Sequence, residues 1–236
     1  MPKHNERKKI YLIGMICLFN AGWIDSIVLY DVLNESVTYM TGNFTTLGRS
    51  LAEGAWAPFT EVFILIGGFL FGSIINGVLL KTETFSSNNK YTLSLLTQSL
   101  LMALGLCLIG YKLQITQNHL IFLAIAMGMQ NSLTTVYLGA IVRTTHLTGT
   151  LTDLGIQIGR MLSGKSHEKW KILFFIAGIC SFVLGAFSCV MYIYIFSDHY
   201  TLLLFPSIIL PMFLAYQLRK TSKSSEQVKK HSKTRH

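Results

Sequence analysis

Six apolar blocks, most of them about twenty residues long, decide what this chain can fold into. A helix needs about 20 apolar residues to cross a hydrocarbon core about 30 Å thick. Blocks at 10–30, 59–80, 91–111, 119–142, 171–196 and 201–218 are drawn to that length. In lipid a spanning segment must satisfy its own backbone hydrogen bonds, so blocks of this length are helices. The composition agrees: 51% of residues are hydrophobic and 13% charged, where a soluble domain carries roughly 25% charged. The expected fold is an all-α integral membrane protein with six transmembrane helices. Pro206 and Pro211 interrupt the sixth block, and a membrane helix accommodates such prolines as kinks when neighbours satisfy the freed carbonyls.

The net charge of +9 does not point to nucleic acid once its placement is considered. With the N-terminus in the cytoplasm, every Lys and Arg except Arg49 and Lys112 falls in a cytoplasmic segment. Asp31, Glu35, Glu53 and Glu61 fall outside. That asymmetry is the positive-inside pattern, and it places both termini in the cytoplasm. The stretch Lys3 to Lys9 followed by apolar residues imitates a secretory signal, but the block continues to about Leu33 without a small-x-small cleavage site. An uncleaved first membrane helix is the expectation. The polar tail 219–236 is rich in Ser and Lys and has no hydrophobic face. It reads as disordered, serving either as an orientation signal or as a contact with anionic lipid worth about 1 kcal/mol per basic residue.

A polar, glycine-containing segment recurs between blocks. Met40-Thr41-Gly42-Asn43-Phe44-Thr45-Thr46-Leu47-Gly48 is echoed by Leu147-Thr148-Gly149-Thr150-Leu151-Thr152-Asp153-Leu154-Gly155. Two further matches keep the same order. Gly22-Trp23-Ile24-Asp25-Ser26 resembles Gly128-Met129-Gln130-Asn131-Ser132, and Phe69-x-x-Gly72 resembles Phe182-x-x-Gly185. Each half then reads as span, Thr-Gly segment, span, span. Three spans per unit is odd, so the second copy must lie inverted in the membrane, the arrangement that secondary transporters use around a midplane site. The chain divides into a basic cytoplasmic N-terminus (1–9), a first three-span repeat (10–112), a second (113–218) and the basic cytoplasmic tail (219–236).

Asp25 is the only acid placed well inside a block. A charge there costs at least about 2.5 kcal/mol, so such residues face a bundle interior or a cavity. It reads either as a proton- or cation-linked site or as a solvated residue near the outer end of the span. Asn131 is its uncharged counterpart, and Ser26 and Ser132 follow in each copy. Of the amides at membrane depth, Asn76 and Gln98 are assigned to interhelical hydrogen bonding. Asn20 and Gln130 join the candidate pathway because they lie within about one turn of Asp25 and Asn131. The triplets Thr41-Gly42-Asn43 and Thr148-Gly149-Thr150 have the composition of helix N-caps, and Gly48 and Gly155 are expected to admit a neighbouring helix. With simple loops the two triplets lie on opposite faces. They meet only if both segments, 31–58 and 143–170, are re-entrant; otherwise they are interfacial amphipathic helices. Arg143 and His146, just before the second triplet, are suited either to an anionic group or to membrane anchoring.

Cys17, Cys107, Cys180 and Cys189 lie in apolar blocks without metal or redox spacing and read as buried small residues. There is no P-loop, GxSxG, HExxH or dinucleotide fingerprint, so neither an enzyme nor a cofactor or metal is expected. The G-x-x-D-S of Gly22, Asp25 and Ser26, the M-T-G-N-x-T-x-L-G of residues 40–48 and the T-G-T-L-T of residues 148–152 together resemble the YoaK family of bacterial membrane proteins. That resemblance implies a bacterial inner-membrane protein and supplies neither substrate nor catalytic residues. The expected function is a small secondary transporter or permease for a small molecule or ion, in the lipid bilayer, as a single copy or a homo-oligomer. The alternative is a non-transporting membrane scaffold whose basic tail binds lipid or protein.

Overall fold

The computed structural model describes residues 4–31, 36–80, 89–110, 120–138, 144, 146–166, 168–196, 208, 211–213 and 215–216. The described part is helical, with no strand. Its elements are α1 (His4–Asp31), α2 (Met40–Glu53), α3 (Trp56–Leu79), α4 (Asn89–Gly110), α5 (Leu120–Leu138), α6 (Leu147–Leu162) and α7 (Lys169–Ile195). Four of these contain segments long and apolar enough to cross a membrane: Tyr11–Leu29, Trp56–Leu79, Lys90–Leu108 and Lys169–Ile195. They coincide with the first, second, third and fifth blocks. The fourth block is the apolar helix α5, which has 19 described residues and a length of about 28 Å. Residues 139–142 of that block, the tail 219–236 and most of the sixth block lie outside the described residues. α1 starts at His4, earlier than the apolar block does, because the basic residues before Ile10 are good helix formers.

The helices associate in two crossed pairs, α1 with α7 and α3 with α5. α4 packs along α5, and a short stretch of α1 meets α5 between the pairs. Both crossings are made at glycines. A side chain at Gly22 would collide with the Phe182 carbonyl, and one at Gly185 with the Phe19 carbonyl. On the other pair, Gly72 sits against the Ile125 carbonyl and Gly128 against the Phe69 carbonyl. With no hydrophobic drive between helices in lipid, such close backbone approach supplies the dispersion contacts that hold them. Hydroxyls add to it: Ser73 donates to the Gly128 carbonyl at 3.1 Å, and Ser181 donates to the Met15 carbonyl at 2.8 Å. Asn76 donates to the Met129 carbonyl at 2.6 Å and accepts from Ser94 at 2.6 Å, tying α3, α4 and α5 together.

The outward faces of α3 and α7 carry Phe63, Leu70, Phe71, Val183, Leu184 and Phe187, all exposed. Patches of this kind are rare on soluble monomers and are what lipid would cover. The buried core runs between the pairs, through Ile24, Ile27, Leu65, Met102, Leu123 and Met127.

α2 packs on α3 and α6 on α7, each joined to its partner by a glycine turn. α2 ends in a Schellman motif: Gly54 is left-handed at φ 67°, with Gly54 N–H bonded to the Leu51 carbonyl and Ala55 N–H to the Ser50 carbonyl at 2.9 Å. α6 ends the same way at Gly164, φ 66°, with Lys165 N–H bonded to the Arg160 carbonyl at 2.9 Å. Nothing lies within 4 Å of a side chain added at Gly54, so its only demand is conformational. Gly54→Ala is expected to cost about 1 kcal/mol, read as a lower unfolding midpoint of the purified protein with an unchanged helical circular-dichroism spectrum.

Candidate functional site

Three amides meet where α1, α4 and α5 come together. Asn20 is the central residue of the 19-residue span Tyr11–Leu29. Gln98 lies one residue from the centre of Lys90–Leu108, also 19 residues, and Gln130 one residue from the centre of α5. All three are buried, each about 1% exposed. Gln130 Nε2 donates to the Cys17 carbonyl at 2.9 Å. Its Oε1 accepts twice, from Asn20 Nδ2 at 2.9 Å and from Gln98 Nε2 at 2.8 Å. Asn20 Nδ2 also approaches Met102 Sδ at 3.6 Å.

The direction of this network follows from one atom. A peptide carbonyl can only accept, so Gln130 must turn its NH2 towards Cys17 and its oxygen towards the other two amides. Asn20 and Gln98 must then both donate. Among the described residues their carbonyl oxygens, Asn20 Oδ1 and Gln98 Oε1, are left buried without a hydrogen-bond partner. Leaving a buried acceptor unpaired costs about 1–3 kcal/mol in soluble proteins and less between membrane helices, and two such atoms in one cluster call for an explanation.

A second polar cluster joins α1 to the start of α2. The Ser36 hydroxyl donates to the Asp25 carboxylate. Ser36 Oγ accepts from the backbone N–H groups of Thr38 at 3.0 Å and Tyr39 at 2.8 Å, and Asn43 Nδ2 donates to the Ser36 carbonyl at 2.8 Å. Asn43, Ser36 and Thr38 are buried, while Asp25 is half-buried. The acid is therefore satisfied by hydroxyl and loop groups, and the first Thr-Gly segment is attached to α1 through it.

The structure separates the other candidates. The two Thr-Gly triplets open helices, but as interior residues and not as caps: Tyr39 and His146 occupy the N-cap positions, without a side-chain cap bond. In each copy the cap residue folds its ring over the third residue, Tyr39 over Gly42 and His146 over Gly149. Thr41 and Thr148 are exposed, their carbonyls accepting from Thr45 and Thr152 within the same helix. Thr150 bonds back to the His146 carbonyl at 3.2 Å. Asn131 is half-buried and its backbone carbonyl accepts from Thr135 at 2.8 Å. Ser132 donates into its own helix, to the Gly128 carbonyl at 2.9 Å, and Ser26 is half-buried beside Asp25. α2 and α6 share no packed interface.

The expectation that Gly48 and Gly155 admit a neighbouring helix is corrected, for both face open space. The close approaches are at Gly22, Gly72, Gly128 and Gly185 instead. None of the four cysteines is bonded to another, and Cys180 is exposed, not buried, because it lies on an outward face of α7. Among the described residues no group of His, Cys, Asp or Glu could hold a metal. Arg143 lies outside the described residues. Gln98, which sequence reasoning assigned to helix packing, is a full member of the central cluster. Its position near the centre of its block was the one available signal. Ser36 was also missed, and no pattern in the sequence marks it.

Comparison with known proteins agrees with a membrane protein. The chain is 28% identical over 160 residues, 67% of its own length and 71% of the relative's, to the "UPF0700 transmembrane protein YoaK" of Bacillus subtilis (strain 168). No solved structure matches it. The family described as "Protein of unknown function (DUF1275)" matches residues 13–216, so the chain belongs to the DUF1275 family of YoaK-like transmembrane proteins.

Proposed function

We propose that this protein is a small permease of the inner membrane, built from two inverted three-span halves with both termini in the cytoplasm, and that its central site is the Asn20, Gln98 and Gln130 cluster. The observation that carries this reading is the cluster's position. Three buried amides near the centres of their helices form the junction where α1 meets α4 and α5, and among the described residues two of their oxygens lack a hydrogen-bond partner. The midplane, between halves, is where inverted-repeat transporters hold substrate.

The inverted arrangement is supported by the two crossings. Gly22 and Gly128, which match in sequence, each sit on a carbonyl of the partner helix, that of Phe182 and that of Phe69. Phe182 and Phe69 are themselves the matched pair of the F-x-x-G pattern. Gly185 and Gly72 complete the exchange on Phe19 and Ile125. Contacts that map onto each other when the halves are swapped are what an internal repeat requires. The Asp25 cluster, closer to the end of α1, would form one entrance, with the first Thr-Gly segment as its wall.

The test is flux into proteoliposomes holding the full chain and a trapped pH dye, challenged with amines, polyols, amino acids and carboxylates. At least one class is expected to change dye signal or vesicle volume beyond that of protein-free vesicles. Asp25→Asn is expected to abolish the proton movement while leaving insertion and folding intact. Protein vesicles indistinguishable from empty ones across the whole panel would refute the permease, and normal proton movement in Asp25→Asn would remove that residue's role.

A further inference from the structure

We infer that the amide cluster is a binding site for a hydrogen-bond donor, an ammonium or hydroxyl group. The inference rests on the site named above but concerns binding, which can be measured without flux. The Cys17 carbonyl fixes the Gln130 amide, and Gln130 Oε1 is occupied by two donors. The donors of Asn20 are directed to Gln130 and Met102. Among the described residues the atoms of the cluster left without any partner are the carbonyl oxygens of Asn20 and Gln98, while Gln98 Nε2 and Gln130 Nε2 each use one of their two N–H groups.

Rotating either amide does not remedy this. Turning Asn20 or Gln98 over would set two carbonyl oxygens against each other at Gln130 Oε1, where the present contacts are 2.9 and 2.8 Å. Turning Gln130 would set its oxygen against the Cys17 carbonyl at 2.9 Å. The unpaired acceptors are thus a property of the residue set at this junction and not of one rotamer.

Two acceptors without donors present negative partial charge, inside a low-dielectric span where polar contacts are strong. An anion is repelled by them. A group bearing N–H or O–H is attracted and removes the desolvation penalty of the acceptor it reaches. The residue chemistry supports the same choice: Asn and Gln hold donors without a full charge, so a bound cation or alcohol is released again without breaking a buried ion pair.

The experiment is thermal unfolding of the purified full chain in detergent with methylammonium chloride, tetramethylammonium chloride, glycerol and sodium acetate, against sodium chloride at matched ionic strength. Methylammonium or glycerol, or both, should raise the unfolding midpoint saturably, and the pair distinguishes an ammonium from a hydroxyl ligand. Tetramethylammonium, which carries the charge without an N–H donor, and acetate should not. The saturable shift should vanish in Asn20→Leu and in Gln98→Leu. If those variants fail to fold, the contrast between methylammonium and tetramethylammonium in the unaltered protein decides alone. No saturable shift with either donor, an equal shift with tetramethylammonium or acetate, or a shift that survives both substitutions overturns the inference. Donor binding without flux in any vesicle would leave the site standing and remove the permease. Flux of carboxylates alone, with no donor binding, would do the reverse.

Discussion

Replacing Gly72 or Gly128 by alanine is expected to destabilise the protein by about 1–3 kcal/mol, and replacement by leucine to prevent the α3–α5 pair from closing. A Cβ at Gly128 would enter the space of the Phe69 carbonyl, and one at Gly72 that of the Ile125 carbonyl. The obstructing atoms are backbone, so no rotamer change relieves the clash and one helix must move away from the other. That movement also lengthens the Ser73 to Gly128 hydrogen bond of 3.1 Å and the Asn76 to Met129 bond of 2.6 Å. The comparison variants are Gly48→Ala and Gly67→Ala, where nothing lies within 4 Å. Alanine there should be neutral or stabilising by up to about 1 kcal/mol, because glycine is the poorer helix former. Unfolding of the purified proteins in a denaturing detergent series checks the contrast. Equal midpoints for the two classes of variant would contradict the crossing geometry.

Gln130→Leu is expected to be nearly as damaging, although leucine is close to glutamine in size. The substitution removes the partner of Asn20 Nδ2, of Gln98 Nε2 and of the Cys17 carbonyl together. Buried orphans cost about 1–3 kcal/mol each in soluble proteins, but hydrogen bonds between membrane helices average only about 0.6 kcal/mol, because the unfolded chain in lipid also finds partners. The membrane value is the better guide, and three lost bonds then amount to about 2 kcal/mol. The diagnostic is non-additivity. Asn20→Leu combined with Gln130→Leu should be less destabilised than the two single changes summed, since the second change removes an amide already deprived of its partner. Strict additivity would mean that the amides do not act as one network.

The apolar spans were legible in the sequence because lipid selects by composition, and a run such as Trp56–Leu79 needs no partner to be recognised. The glycines of the crossings were legible as a pattern, through Gly22/Gly128 and Gly72/Gly185, but not as contacts. What makes them special is the carbonyl of a helix about 50 to 160 residues away, and no local rule of sequence specifies that. Gly54 and Gly164 carry a usable signal, a glycine just past an amphipathic helix, which is where a left-handed C-terminal residue is placed. The amide cluster was half legible. Asn20 and Gln130 stood out by their spacing from Asp25 and Asn131, whereas the structure connects them to Gln98 and not to those neighbours. On a helix, five residues of separation turn Asn20 and Asp25 about 140° apart, so proximity in sequence was the wrong guide. The place of Ser36 depends on a loop folding back onto α1, and hydrophobic periodicity is silent about loops.

The two glycine crossings also have a mechanical consequence. At the crossing points within α1–α7 and within α3–α5 backbone lies directly on backbone, with no flexible side chain there to yield. Between the two pairs, α1 meets α5 over only a short stretch, and the hydrogen bonds of Gln130 to Asn20 and Cys17 fasten it. The described helices therefore behave as two stiff beams with one narrow seam. Shear is resisted least along that seam, and the amides that line it act as its latch.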